Sequence, residues 1–269
     1  MIQEEDWIPP GIDTATANIA RVYDWWLGGV HNFPADRDAG RELAAIAPNI
    51  RAVAHANRAF LGRAVRYLAG AGVRQFLDIG SGIPANQNVH EIAHEAAPGS
   101  RVVYVDNDDV VVAHSEFILR GDPGATVIQA DLRDPSAILA HPEARRLIDF
   151  TQPVGLLLVA VLHFIPDSDN PGEILAAFRT ALAPGSFLAL SHACYDAVPE
   201  AGSAFRSVYN ARVAGQVTHR TREQVSRFFD GFTLADPGVV WLPEWRPDSP
   251  ADGLEDPAKS GLLAGVGKL

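Results

Sequence analysis

The chain has 269 residues, 47% of them hydrophobic, which is enough to bury the core of one elaborated α/β domain. Its formal net charge of −11 disfavours a nucleic-acid partner, because a surface that grips phosphates has to be basic. The single cysteine, Cys194, excludes an internal disulfide and a cysteine-built zinc site, and the longest apolar run, around residues 154–162, is too short to cross a bilayer.

The first residues, Met1-Ile2-Gln3-Glu4-Glu5-Asp6, are acidic where a secretory leader is basic, so the expected setting is a reducing cytoplasm with no membrane contact. Residues 14–70 read as helices: Ala52, Ala56, Phe60, Ala64 and Leu68 recur every fourth position, and Gly70 and Gly72 close the last helix. Residues 1–70 are therefore expected to form an N-terminal helical cap. From Val73 onward apolar runs alternate with helical stretches, the pattern of a parallel sheet covered on both faces. Strands are expected at 75–79, 101–105, 126–130, 155–161, 186–191, 232–235 and 239–242. Between the fifth and sixth of these lies a long helical insert whose final helix opens on Thr221-Arg222-Glu223-Gln224, a capping-box spacing. Arg206, Arg212, Arg220, Arg222 and Arg227 in this insert read as a solvated helix face. The sheet domain is expected to span 71–245, and 246–269, opening on a Pro- and Asp-rich run, to be an extended surface tail.

The most informative stretch is Gln75-Phe76-Leu77-Asp78-Ile79-Gly80-Ser81-Gly82. A buried strand runs into two glycines that let the backbone turn tightly against a ligand, and a helical pattern follows at once. Asp106, about twenty residues on, ends the next apolar run, where a carboxylate can hold ribose hydroxyls. Asp78 stands two residues before the first glycine and would repel a pyrophosphate, so a nucleotide that carries cationic groups and no phosphate fits better. These residues resemble the class I S-adenosylmethionine-dependent methyltransferases, whose first motif is an acid followed by Gly-x-Gly at the end of the first strand. The resemblance implies a Rossmann-like fold with a seven-stranded, mostly parallel sheet and S-adenosyl-L-methionine as cofactor. It assigns the methionine part to Asp78 and the Gly80-Ser81-Gly82 backbone, and the ribose to Asp106 with Asn107 beside it. The adenine amino group falls to Asp131, with Leu132 as an apolar wall; a helix N-cap or an ordinary loop acid is the alternative reading of Asp131.

The stretches around Arg21-Val22-Tyr23-Asp24-Trp25-Trp26, His55-Ala56-Asn57-Arg58 and Asp236-Pro237-Gly238 are similar to an actinobacterial methyltransferase family long catalogued as a domain of unknown function. Tyr23 is expected to line the site and Arg58 to pair with the methionine carboxylate, while Trp25 and Trp26 are left to packing. Gly28, Gly29, His31 and Asn32 break the first helix as a lid loop would. His163, in Val161-Leu162-His163-Phe164-Ile165-Pro166-Asp167, is similar to the strand-four histidine of small-molecule O-methyltransferases; it is expected either to deprotonate the acceptor, as an imidazole titrating near neutrality, or to shape the pocket. His192 is a weaker base candidate. The expected activity is in-line methyl transfer to a small-molecule acceptor. Two alternatives stand beside it: an NAD-dependent oxidoreductase, since Gly80-x-Gly82-x-x-Ala85 also satisfies the dinucleotide fingerprint, and a module that binds the cofactor without turnover. His90-Glu91-Ile92-Ala93-His94 matches the zinc-peptidase pattern, but it falls on a helix that must pack on the sheet and has no third ligand, so no metal is expected.

Overall fold

The computed structural model describes residues 12–84, 87–249 and 256–269. The acidic residues 1–6, Ala85 of the glycine fingerprint and residues 250–253 of the expected tail lie outside them. Three helices, α1 (Ile19–Trp26), α2 (Pro34–Ile46) and α3 (Ile50–Gly70), precede β1 (Gln75–Ile79). Alternation follows: α4 (Val89–Ala96), β2 (Arg101–Asp106), α5 (Asp109–Ile118), β3 (Ala125–Gln129), α6 (Pro135–Ala140), α7 (Pro142–Leu147), β4 (Gly155–Val159), α8 (Pro171–Ala181) and β5 (Phe187–Ala193). The insert holds α9 (Pro199–Arg212) and α10 (Arg222–Arg227), and the chain closes with β6 (Thr233–Leu234), β7 (Val240–Trp241) and β8 (Leu262–Lys268). Thr221 caps α10 in the expected box, its hydroxyl accepting from Gln224 N.

The sheet order is β3-β2-β1-β4-β5-β8-β6, with β7 also paired to β8. β1 to β5 run parallel and bury both faces, so successive side chains feed two cores. Leu77, Val103, Leu156 and Leu188 face Ile138, Leu147, Phe178 and Val225 on one side. On the other, Phe76, Val102, Leu157 and Phe187 face Phe60, Leu68 and Ala93. The order reverses between β1 and β4, which opens a crevice at the carboxyl ends of those strands.

Three expectations change. Within the stretch 246–269, expected as an extended tail, Leu262–Lys268 instead forms β8 inside the sheet, antiparallel to β5 from Phe187↔Lys268 to Ala193↔Leu262. Its glycines are required by close approach, since a Cβ on Gly267 would sit 2.8 Å from Phe232 Cβ and one on Gly265 2.9 Å from Phe229 Cζ. The expected strands at 232–235 and 239–242 shrink to two-residue pairings at the edge. The cap is also composed differently, because α3 packs on the sheet through Phe60, Leu61, Ala64, Val65 and Leu68, while α1 and α2 cluster with Phe205, Tyr209 and Val213 on or beside α9. A strict four-residue repeat drifts by about 40° per step on a 3.6-residue helix, so Ala52 at the far end of the expected stripe is exposed.

Candidate active site

The crevice above β1, β4 and β5 is a cavity of about 470 Å³, a size that suits a cofactor or drug-sized ligand. Tyr23, Arg58, Asp78, Gly80, Ser81, Gly82, Asp106, Asn107, Asp131, Leu132 and His163 all line it. Eleven positions distant in sequence thus converge on one site, Tyr23 and Arg58 from α1 and α3 and the other nine from the ends of successive parallel strands and the loops that follow them.

The glycine turn follows β1 directly. Gly80 and Gly82 adopt φ of +69° and +66°, the left-handed region that other residues enter only with strain. A Cβ on Gly80 would lie 2.3 Å from Val161 Cγ2, whereas one on Gly82 would meet nothing within 4 Å. Gly80 is therefore required by packing as well as by backbone, and Gly82 faces open space. Asp106 holds the turn: its carboxylate accepts from Gly82 N at 2.9 Å and from Asp108 N at 3.1 Å. Burial nevertheless outweighs these bonds and pushes Asp106 up to about 6. Asp78 is 4% exposed, and no hydrogen bond from a described residue reaches its carboxylate. Burial pushes it to about 7, against the pull of Arg58 and with a further push from Asp106. Ser81 Oγ is likewise buried without a partner among the described residues. A buried acid and a buried hydroxyl that lack hydrogen-bond partners among the described residues, beside an open glycine turn, fit a ligand bearing an ammonium or sulfonium, and the carboxylate disfavours a pyrophosphate.

Arg58 donates to Gln87 O at 3.1 Å and flanks the same turn. Asp131 is engaged by a residue that the sequence reading passed over: Arg133 Nε lies 3.0 Å from Oδ1 and 3.1 Å from Oδ2, and this partner holds Asp131 below its ordinary range. Leu132 is buried beside it and Asn107 is exposed at the rim. Tyr23 joins a network that crosses the cap to the sheet. Its hydroxyl donates to Ala54 O at 3.0 Å and accepts from Asn57 Nδ2 at 3.0 Å, while Asn57 Oδ1 accepts from Ser191 Oγ at 2.7 Å. Ser191 Oγ also accepts, at 2.9 Å, from the N–H of Ala160, whose φ of +58° ends β4 two residues before the expected strand boundary. Asn57 was detectable in the sequence as the polar member of the buried run Val53, Asn57, Phe60, Ala64; Ser191 inside an apolar strand gave no comparable signal.

His163 lies on a short 3₁₀ turn, Leu162–Phe164, after β4. Burial, with His192, His219 and Arg220 adding to it, holds its imidazole well below 6.5, so it does not titrate near neutrality as expected. Its Nδ1 accepts from Ala193 N at 3.4 Å, which assigns the ring proton to Nε2 and makes that nitrogen a donor. His192 is fully buried within β5 and does not line the cavity; Arg220 donates to its Nε2 at 2.8 Å. Arg220 departs from the solvated face expected of its neighbours: it is 4% exposed and also donates to Leu162 O, Ile165 O and Asp167, clamping the loop that carries His163. His163→Gln is accordingly expected to lower turnover by less than the roughly hundredfold worth of a positioned base, and the rate to show no His163 inflection between pH 6 and 8. Steady-state rates of wild type and variant across that range check both points.

The loop expected to act as a lid is tied down. Asp24 accepts from His31 N at 2.9 Å and Asn32 Nδ2 at 2.8 Å, and the His31 ring rests 3.9 Å from that of His114 on α5. Trp25 packs under Arg51, and Trp26, which donates to Gly40 O, also lines the cavity. On α4, His90 Nδ1 lies 2.7 Å from Tyr104 Oη and His94 Nε2 lies 2.9 Å from Ser100 O, so the peptidase-like pair is turned to separate partners. No group of three potential metal ligands occurs among the described residues, nor a helix long and apolar enough to cross a membrane.

Residues 5–269 match the sequence pattern of a family described as S-adenosyl methyltransferase. A crystal structure of a Thermobifida fusca protein named provisionally as a methyltransferase is 41% identical over 98% of both chains, with a TM-score of 0.91. A DUF574 family protein from Streptomyces avermitilis is 38% identical over 95% of this chain and 98% of its own, with a TM-score of 0.92. The N-methyltransferase NodS from Bradyrhizobium japonicum, solved with S-adenosyl-L-homocysteine, shares the fold at 14% identity and a TM-score of 0.50, over 86% of this chain and 96% of its own. Among curated proteins nothing matches.

Proposed function

Because the chain belongs to the S-adenosyl methyltransferase family, we propose that it transfers a methyl group from S-adenosyl-L-methionine to a small-molecule acceptor held over the ends of β4 and β5. The convergence of all eleven sequence-assigned positions on one cavity carries this reading. When bound, the cofactor would supply a sulfonium methyl as electrophile, its sulfur taking the electron pair of the broken carbon–sulfur bond as an acceptor lone pair bonds that carbon, and the methylated product would lose its proton to solvent on leaving the site.

Each residue of this chain then has a physical task. Asp78 and Ser81 offer an acceptor carboxylate and a hydroxyl to the methionine ammonium, and Arg58 balances its carboxylate. Asp106 meets the ribose while holding the turn rigid, and Asp131 with Leu132 bounds the adenine. The Tyr23–Asn57–Ser191 network fixes the left-handed Ala160 and with it the start of the His163 turn, so that an acceptor is aligned at attack distance and water is kept out. His163 orients the acceptor through its Nε2 proton. The lone, fully buried Cys194, whose thiol burial pushes up to about 11, accords with a reducing cytoplasm. Calorimetry with S-adenosylhomocysteine, S-adenosylmethionine and NAD tests the cofactor: the first two are expected to bind and NAD is not. NAD binding without a response to S-adenosylhomocysteine would overturn the reading. Release of S-adenosylhomocysteine over a panel of small acceptors separates transfer from binding alone.

A further inference from the structure

The two ends of the cavity differ in charge. Its lining carboxyl and guanidinium side chains, namely Arg58, Asp78, Asp106, Asp108, Asp131 and Arg133, come from α3, from β1 and β2 themselves, and from the loops after β2 and β3. Toward β4 and β5 the described lining holds no ionised side chain, and His163 there is neutral. Rings take their place. Tyr209 stands between Phe164, at 5.7 Å between centroids and 20° between planes, and Phe205, at 6.2 Å and 23°. Phe205 continues the row to Tyr195 at 6.1 Å and 28°. In this wall Tyr209 is 1% exposed, yet its Oη has no hydrogen-bond partner among the described residues. Buried hydroxyls are normally paired, and a phenol that burial holds well above 10 remains protonated and able to donate.

Resting on the methyl-transfer reading, we propose that the acceptor is an uncharged, planar aromatic molecule whose ring lies against the Phe164–Tyr209–Phe205 wall and whose hydroxyl pairs with Tyr209 Oη. A charged acceptor would lose its hydration against a lining that offers no counter-charge. A flat ring gains offset or edge contact with the wall that a saturated ring of equal size does not. Tyr209 is a specificity residue in this scheme.

The test uses the whole chain saturated with S-adenosylhomocysteine and titrated with 2-naphthol, decahydro-2-naphthol and 2-naphthoate by calorimetry. We expect 2-naphthol to bind, and the saturated and anionic analogues to bind at least about tenfold more weakly. Tyr209→Phe, which keeps the ring, should weaken 2-naphthol about fivefold, the worth of one hydrogen bond, and leave S-adenosylhomocysteine affinity unchanged. Absence of 2-naphthol binding, equal binding of either analogue, or an unchanged 2-naphthol affinity in Tyr209→Phe would overturn the inference and leave the methyl-transfer reading standing, provided S-adenosylhomocysteine binds. Failure of the wild-type chain to bind S-adenosylhomocysteine would remove both. The three-probe comparison on the wild-type chain decides without the variant, should that variant not fold.

Discussion

Affinity for S-adenosylhomocysteine should rise about tenfold between pH 6 and pH 8, while the ligand-free protein becomes less stable over the same interval. Both effects come from Asp78. Burial, countered by Arg58 and reinforced by Asp106, raises its folded-state pKa from 3.8 to about 7, so the folded chain binds this proton more tightly than the unfolded chain does. Stability conferred by the neutral carboxyl is therefore lost as pH rises from about 4 to 7, on the order of 4 kcal/mol in all for this one group. Asp106, raised to about 6 with burial again the first cause, adds in the same direction. A ligand ammonium reverses the preference, because it supplies the charge that the ionised carboxylate lacks. Asp78→Asn should flatten the pH dependence of binding, weaken binding at pH 8 and stabilise the ligand-free chain there. Calorimetry at pH 6, 7 and 8 with parallel thermal melts reads all three. Equal affinities at pH 6 and 8 in the wild type would remove Asp78 from the cofactor's contacts.

Gly80→Ala should abolish cofactor binding and destabilise the fold by about 4 kcal/mol, whereas Gly82→Ala should cost only about 1–2 kcal/mol. Both carry the strain of a side chain in the left-handed region. Only at Gly80 does the new methyl also collide with Val161, which leads into the turn bearing His163, so the strand end must move. Gly82→Ala projects into open cavity and should act mainly by occupying ligand space. Urea unfolding of the two variants beside wild type, with S-adenosylhomocysteine titrations, separates these effects. Equal destabilisation of the two would show that Val161 yields freely and that backbone strain alone matters.

Much of the site was readable because its chemistry is local. Strand, glycine turn, helix, strand and acid follow one another within about thirty residues, and each later strand end brings its next residue, Asp131 or His163, to the same edge of a parallel sheet. What a neighbour does to such a residue is not local. Asp131 reads as a free acid until Arg133 is seen clasping it, and His163 reads as a base near neutrality until burial and the Ala193 N–H make it neutral with its proton on Nε2. Arg220 shares a basic stretch with the exposed Arg206, Arg212 and Arg227, yet it turns inward to His192 and the loop carbonyls.

The amino-acid order by itself determined the element sequence from β1 to β5, the parallel direction of those strands and the glycine turn with its strand-end acids at one edge of the sheet, because hydrophobic period, glycine placement and strand-end acids act over a few residues. Only the tertiary structure decided that Leu262–Lys268 is an inner strand, that α3 belongs to the sheet while α9 completes the cap, and that an uncharged aromatic wall faces the charged cradle. Those features depend on partners distant in sequence: the glycines of β8 weaken a strand taken alone, and the insertion of β8 next to β5, under Phe229 and Phe232, turns the same glycines into a requirement.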